Sequence, residues 1–190
     1  STLSPSSAAS DVYKRQVPVI IDYYFIAVLT LMLVVFRNEN ILMCFVFCIL
    51  HELGHLTAMT FFGERAKSVT LGYFGMRIDC GARILPKIPE IVIAAAGPTV
   101  NLILMLFCRL FKLDEAAQIN LSLAVFNLLP VTMLDGGKIL SSFVTERTIR
   151  IIGITIGIIL SFLGAAVAIY TRRNFLILVV SLYVLIGAIK

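Results

Sequence analysis

Between Ile41 and Phe62 the chain reads ILMCFVFCILHELGHLTAMTFF. The stretch is apolar for about the 20 residues that an α-helix needs to cross the hydrocarbon core of a bilayer. In its middle stand His51, Glu52 and His55, and the chain has no other histidine. Residues i and i+4 lie one above the other on a single helix face, so the two imidazoles can converge on one metal ion. Glu52, one position round the helix, can reach water bound to that ion. The bland reading is a pair of polar residues buried at a helix contact. Ionisable groups at mid-membrane are costly and rarely kept without a function, so the metal reading is preferred.

Composition makes the same solvent assignment for the whole chain. Of 190 residues, 59% are apolar and 14% charged, against roughly 45–50% and 25% in soluble domains. Too little polar surface is left to face water, and an integral membrane protein is expected. The formal charge of +5 comes from basic residues scattered at segment ends. None forms a basic cluster interleaved with aromatics, so no nucleic-acid partner is expected. Cys44, Cys48, Cys80 and Cys108 lie mostly in apolar stretches without a secreted-domain framework, and read as free packing thiols.

Outward from the quoted stretch, hydropathy divides the chain into six candidate spans: Val17–Phe36, Ile41–Phe62, Ile88–Phe111, Ala116–Leu134, Ile149–Tyr170 and Phe175–Ile189. Gly97-Pro98 lies inside the third and Pro130 inside the fourth. Between the second and third, Gly72, Gly75 and Gly81 break short apolar runs, and Val69–Phe74 with Met76–Ile78 suggest a small hairpin. The fold class expected is an all-α membrane protein of about six transmembrane helices, with a small β-hairpin or re-entrant region between helices 2 and 3. Residues 1–16 are Ser-rich and begin without Met. They read as a disordered or non-native tail, and 17–190 as a single transmembrane domain. Counting Lys and Arg places eleven on the side holding both termini and five on the other. By the positive-inside rule the termini face the cytoplasm.

Catalytic zinc usually has three protein ligands and an open position for water. With no third histidine, the remaining ligand is a carboxylate or a thiolate. Asp135 is the leading candidate, because Gly136 and Gly137 after it allow a sharp turn and a close backbone approach. An Asp before Gly is also a common turn or capping residue. Cys44 and Cys48 share a stripe with the histidines, but four ligands on one helix extend over about 16 Å and cannot meet at one ion. Glu115 and Glu146 are alternative carboxylates, for a different membrane zinc peptidase acting on soluble or lipid-modified peptides, yet both sit among charged residues at span ends.

Three motifs now carry a specific resemblance. His51-Glu52-Leu53-Gly54-His55 is similar to the zinc motif of the site-2 protease family. Ala95-Ala96-Gly97-Pro98-Thr99-Val100-Asn101 resembles its Gly-Pro signature. Asn127-Leu128-Leu129-Pro130, followed by Leu134-Asp135-Gly136-Gly137, resembles its third-ligand motif. Met133 stands where the family often has proline. The resemblance covers nearly everything from residue 17 onward. It implies an intramembrane zinc metalloprotease with one Zn²⁺ on His51, His55 and Asp135, acting on membrane-tethered proteins in or near their transmembrane segments. It also implies a multi-pass protein of a bacterial cell membrane, its active site toward the cytoplasm, open to inhibitory or regulatory membrane partners. The chain looks like the minimal members, including those that process a membrane-tethered sigma-factor precursor during sporulation.

The expected division of labour follows from the chemistry. Glu52 acts as general base. Asn127 donates to the developing oxyanion or grips the substrate backbone, with Asn101 as second choice; interhelical hydrogen bonding is the plainer role for both. An edge strand from Val69–Ile78, tested by proline at Thr70 or Leu71, would receive the unwound substrate; the plainer role for the 65–87 region is to seal the site. A zinc or proton transporter using His51, Glu52, His55 and Asp135 is the competing function. It would usually bring internal repeats, which are absent. A zinc-binding but inactive relative is opposed by the intact Glu52.

Overall fold

The computed structural model of the chain describes residues 19–21, 23, 39–63, 68–72, 75–79, 86–171 and 176–189. Six helices lie among them: α1 (Glu39–Phe61), α2 (Lys87–Leu110), α3 (Asp114–Asn127), α4 (Asp135–Ser141), α5 (Glu146–Thr171) and α6 (Leu176–Ile189). Three short strands, β1 (Val19–Ile21), β2 (Ser68–Gly72) and β3 (Gly75–Asp79), form one sheet in that order.

α1, α2 and α5 are long and apolar enough to cross a membrane, and they coincide within a few residues with the second, third and fifth predicted spans. Large apolar side chains such as Phe61, Leu110, Phe162 and Tyr170 stand exposed, as expected where lipid is the solvent. α1 stops where Gly63 takes a left-handed conformation, φ 73°, which closes a helix C-terminus at no Cβ penalty.

The other predicted spans need correction. Of Val17–Phe36, residues 19–21 form a strand and most of the remainder lies outside the described residues. The predicted fourth span, Ala116–Leu134, is not one helix. α3 ends at Asn127, because Pro130 has no N–H to donate and biases the residue before it away from helical dihedrals. Its 14 residues rise about 21 Å, short of a ~30 Å hydrocarbon core. The last segment needs none: α6, a 14-residue helix, coincides with the sixth predicted span within one residue.

Residues 128–134 therefore form an irregular segment leading into α4. Such backbone is tolerable at membrane depth only where protein covers it and satisfies its polar groups. Val131 N–H donates to Leu129 O at 2.8 Å and Leu134 N–H to Val131 O at 2.9 Å. Val131 and Leu134 are buried against Val184 and Ala188 of α6, and Thr132 Oγ1 lies 3.5 Å from Gly187 O. Met133, at the family's usual proline position, presses its sulfur against Gly187, where a Cβ would collide with it. The approach to Asp135 is thus held by α6 instead of by a proline.

α2 is the centre of the packing, against α1, α3 and α4, while α5 and α6 pair along their lengths. Gly54 of α1 lies against Ala96 and Val100, too close for a Cβ. Small residues at a crossing let backbones approach, which is how helices gain contact in lipid. In the sheet, β1 pairs parallel to β2 and β3 antiparallel to it. Thr70 and Leu71 consequently lie on the central strand, with Ile20 and Ile21 on one side and Arg77 and Met76 on the other. They are not an edge, contrary to expectation, because the N-terminal strand adds to the side left open by β3.

Candidate metal centre

α1 carries His51 and His55 one turn apart, and both are buried, 5% and 7% exposed. α4 brings Asp135, 4% exposed, to the same point. His51 Nε2 lies 3.0 Å and His55 Nε2 3.1 Å from Asp135 Oδ2, and the two Nε2 atoms are 3.1 Å apart. Three residues spread over 84 positions of sequence thus present three ligand atoms in a near-equilateral triangle.

The other ring nitrogens decide what this triangle is. His55 Nδ1 is 2.7 Å from the carbonyl oxygen of Ile93, and His51 Nδ1 faces Asn101 Oδ1. Both oxygens can only accept, so each Nδ1 carries a hydrogen. In the neutral rings each Nε2 then bears a lone pair, aimed at the other and at the carboxylate. Three acceptors face one another, a conflict that a cation held between them removes. The edges of 3.0–3.1 Å suit ligands about 2.0–2.2 Å from a shared zinc. Two imidazoles and one carboxylate, with a fourth side open, are a donor set of catalytic zinc sites. The centre suits a single Zn²⁺. Among the described residues it is the one group of His, Cys, Asp and Glu side chains whose ligand atoms converge in this way.

Each orientation has a source in the sequence. Pro98 lies inside α2 and leaves the carbonyl of Ala94, four residues back, without its helical donor. One residue before it, Ile93 offers its carbonyl to His55. Gly97 places bare backbone under the imidazoles: a Cβ there would fall onto His51 Nε2 and His55 Nε2. Gly136 and Gly137 are closed over by the carbonyls of Leu128 and Val131, again leaving no room for a Cβ.

Sequence reasoning missed two participants. Asn120, fully buried on α3, donates through Nδ2 to the Ala116 carbonyl at 2.9 Å and accepts through Oδ1 from Asn101 Nδ2 at 3.0 Å. The Ala116 carbonyl can only accept, so it orients Asn120. Asn120 orients Asn101, and Asn101 then sets the His51 tautomer. The signal was present as two asparagines in apolar spans, but their pairing across helices was not visible. Lys138 is the second: its Nζ lies 3.0 Å from Asp135 Oδ1.

Glu52 is half-buried and within electrostatic reach of His55, His51, Asp135 and Lys138. Asn127 sits at the end of α3, where its Nδ2 donates to the Leu123 carbonyl at 3.0 Å. Asn101 is committed to His51 and Asn120. Cys44 and Cys48 stay outside the converging group, and Glu115 and Glu146 are exposed.

The family model for peptidase family M50 matches residues 111–171, the part that holds Asn120, Asp135 and Lys138. Over that part the chain is similar to peptidase family M50. Among similar proteins, a zinc metalloprotease of Methanocaldococcus jannaschii is 28% identical over 170 residues, covering 77% of this chain and 47% of that protein. Stage IV sporulation protein FB of Bacillus subtilis is 35% identical over 114 residues, covering 52% of this chain and 38% of that protein. The chain spans less than half the length of these relatives. The solved site-2 protease from Methanocaldococcus jannaschii shares the fold, with a TM-score of 0.64 at 24% identity, covering 90% of this chain and 89% of that one.

Proposed function

We propose that this chain is an intramembrane zinc endopeptidase of the site-2 protease kind that hydrolyses peptide bonds in or near transmembrane segments of membrane-tethered proteins. The observation that carries the reading is the buried triangle of lone pairs from His51, His55 and Asp135 beside the carboxylate of Glu52, on a helix built to cross lipid. Zinc bound by these three ligands would act as a Lewis acid and lower the pKa of its water toward ~7. Glu52 takes a proton from the attacking water and delivers it to the leaving amide nitrogen. Asn127 turns its amide from the Leu123 carbonyl to the oxygen of the scissile bond, which it holds as charge develops.

A helical substrate hides its carbonyls in its own hydrogen bonds, so it must unwind before attack. With β2 enclosed, β3 offers a sheet edge to which the unwound segment adds. The charge bias of the loops supports an orientation with the site toward the cytoplasm. Helices long and apolar enough to cross a membrane around the centre support a membrane-tethered substrate, and a membrane partner that restrains the enzyme fits the same picture.

The test is cleavage of a panel of tagged, membrane-tethered substrates by wild type and Glu52→Gln, with zinc measured in both. Cleavage by wild type, and zinc retained with cleavage lost in the variant, is the expected result. Equal cleavage by both proteins would overturn the role of Glu52. Zinc bound but no cleavage by wild type across the panel would favour transport or an inactive relative.

A further inference from the structure

We propose that Lys138 is a positioning residue that keeps Asp135 a one-oxygen ligand and thereby keeps the fourth side of the metal centre open. The inference rests on the zinc reading above. Asp135 divides its carboxylate: Oδ2 faces both histidines at 3.0 and 3.1 Å, and Oδ1 faces Lys138 Nζ at 3.0 Å. A buried carboxylate beside a divalent ion can turn and offer both oxygens, because its terminal torsion is soft. Two oxygens would fill the position that a catalytic site reserves for water. An ammonium on Oδ1 opposes that turn, since it would have to give up a charge-assisted hydrogen bond.

Geometry makes the contact local and reliable. Lys138 lies three residues after Asp135 in α4, on the same face one turn later. Gly136 and Gly137 between them are buried under the 128–131 backbone, so the turn carrying both residues is fixed from outside. The Lys138 side chain is 56% exposed while that of Asp135 is 6% exposed. An ion pair so open to solvent contributes little to stability. Its effect falls on the orientation of the buried partner.

The test uses the full chain in detergent micelles, loaded with Co²⁺ as the spectroscopic probe. Four-coordinate Co²⁺ absorbs much more strongly in the visible than five- or six-coordinate Co²⁺, so the spectrum reads coordination number. In Lys138→Met the absorption is expected to fall by roughly half or more, and zinc affinity to change within the ~10–100-fold range of outer-shell substitutions. Peptide cleavage should show a lower kcat at unchanged KM. Lys138→Arg, which keeps a donor for Oδ1, should retain the wild-type spectrum. Lys138→Ala, which likewise leaves no donor for Oδ1, is read in the same way if the Met variant fails to fold. A wild-type spectrum in Lys138→Met, or equal loss in Met and Arg variants, would overturn the proposal. Wild-type protein that takes up no cobalt would instead overturn the metal centre itself.

Discussion

His51 shows how far the orientation of a single residue can depend on others. Its Nε2 is available only because Nδ1 is held by Asn101, which is held by Asn120, which is held by the Ala116 carbonyl. Outer-shell partners of metal-binding histidines typically contribute 10–100-fold in affinity. Asn101→Leu and Asn120→Leu are therefore each expected to weaken zinc binding by about that factor, measured by competition with a chromogenic chelator. Asn101→Asp keeps an acceptor for Nδ1 and should lose less. Unchanged affinity in Asn101→Leu would mean that His51 needs no such guide.

At the scale of elements, α1 and α2 cross so closely that a glycine becomes part of the metal centre. Gly97→Ala would place a methyl against both Nε2 atoms. Zinc binding should be lost while helical circular dichroism persists, because alanine favours a helix over glycine. Retained zinc would show that the helices can shift apart at little cost. The same reasoning applies to the turn before α4. Gly136→Ala would drive a Cβ into the Leu128 carbonyl, and overpacking of this kind costs about 1–3 kcal/mol. Thermal unfolding of the variant in detergent should show the loss, and an unchanged midpoint would mean that residues 128–134 yield easily.

For the molecule as a whole, the ion would join α1 to α4, elements 80 residues apart in sequence. A ligand that binds only the folded state at about 100 times its Kd adds about 2.7 kcal/mol. For a chain of this size that corresponds to roughly 5–10 °C in midpoint. Chelation should lower the unfolding midpoint by that order, and added zinc should restore it. A midpoint insensitive to chelation would mean that helix packing alone holds the ligands together. The exposed apolar faces of α1, α2 and α5 also predict that the chain resists alkaline extraction from membranes. Recovery in the aqueous fraction would contradict a spanning role.

Composition and spacing alone made the lipid solvent, the long helices and the three ligand types legible. Hydropathy is a property of contiguous residues, and the i, i+4 spacing of His51 and His55 depends only on the pitch of their own helix. Asp135 was legible because its two glycines announce a tight turn. What only the tertiary structure decided are relations between distant segments: the short α3 with its irregular exit, the central place of β2, the Asn101–Asn120 relay and the oxygen-by-oxygen division of Asp135 between the histidines and Lys138. A lysine after Asp-Gly-Gly is, in sequence, one more charge at a span end. Its partner is set when the backbone of residues 128–134 folds over two glycines and turns α4 towards the histidines.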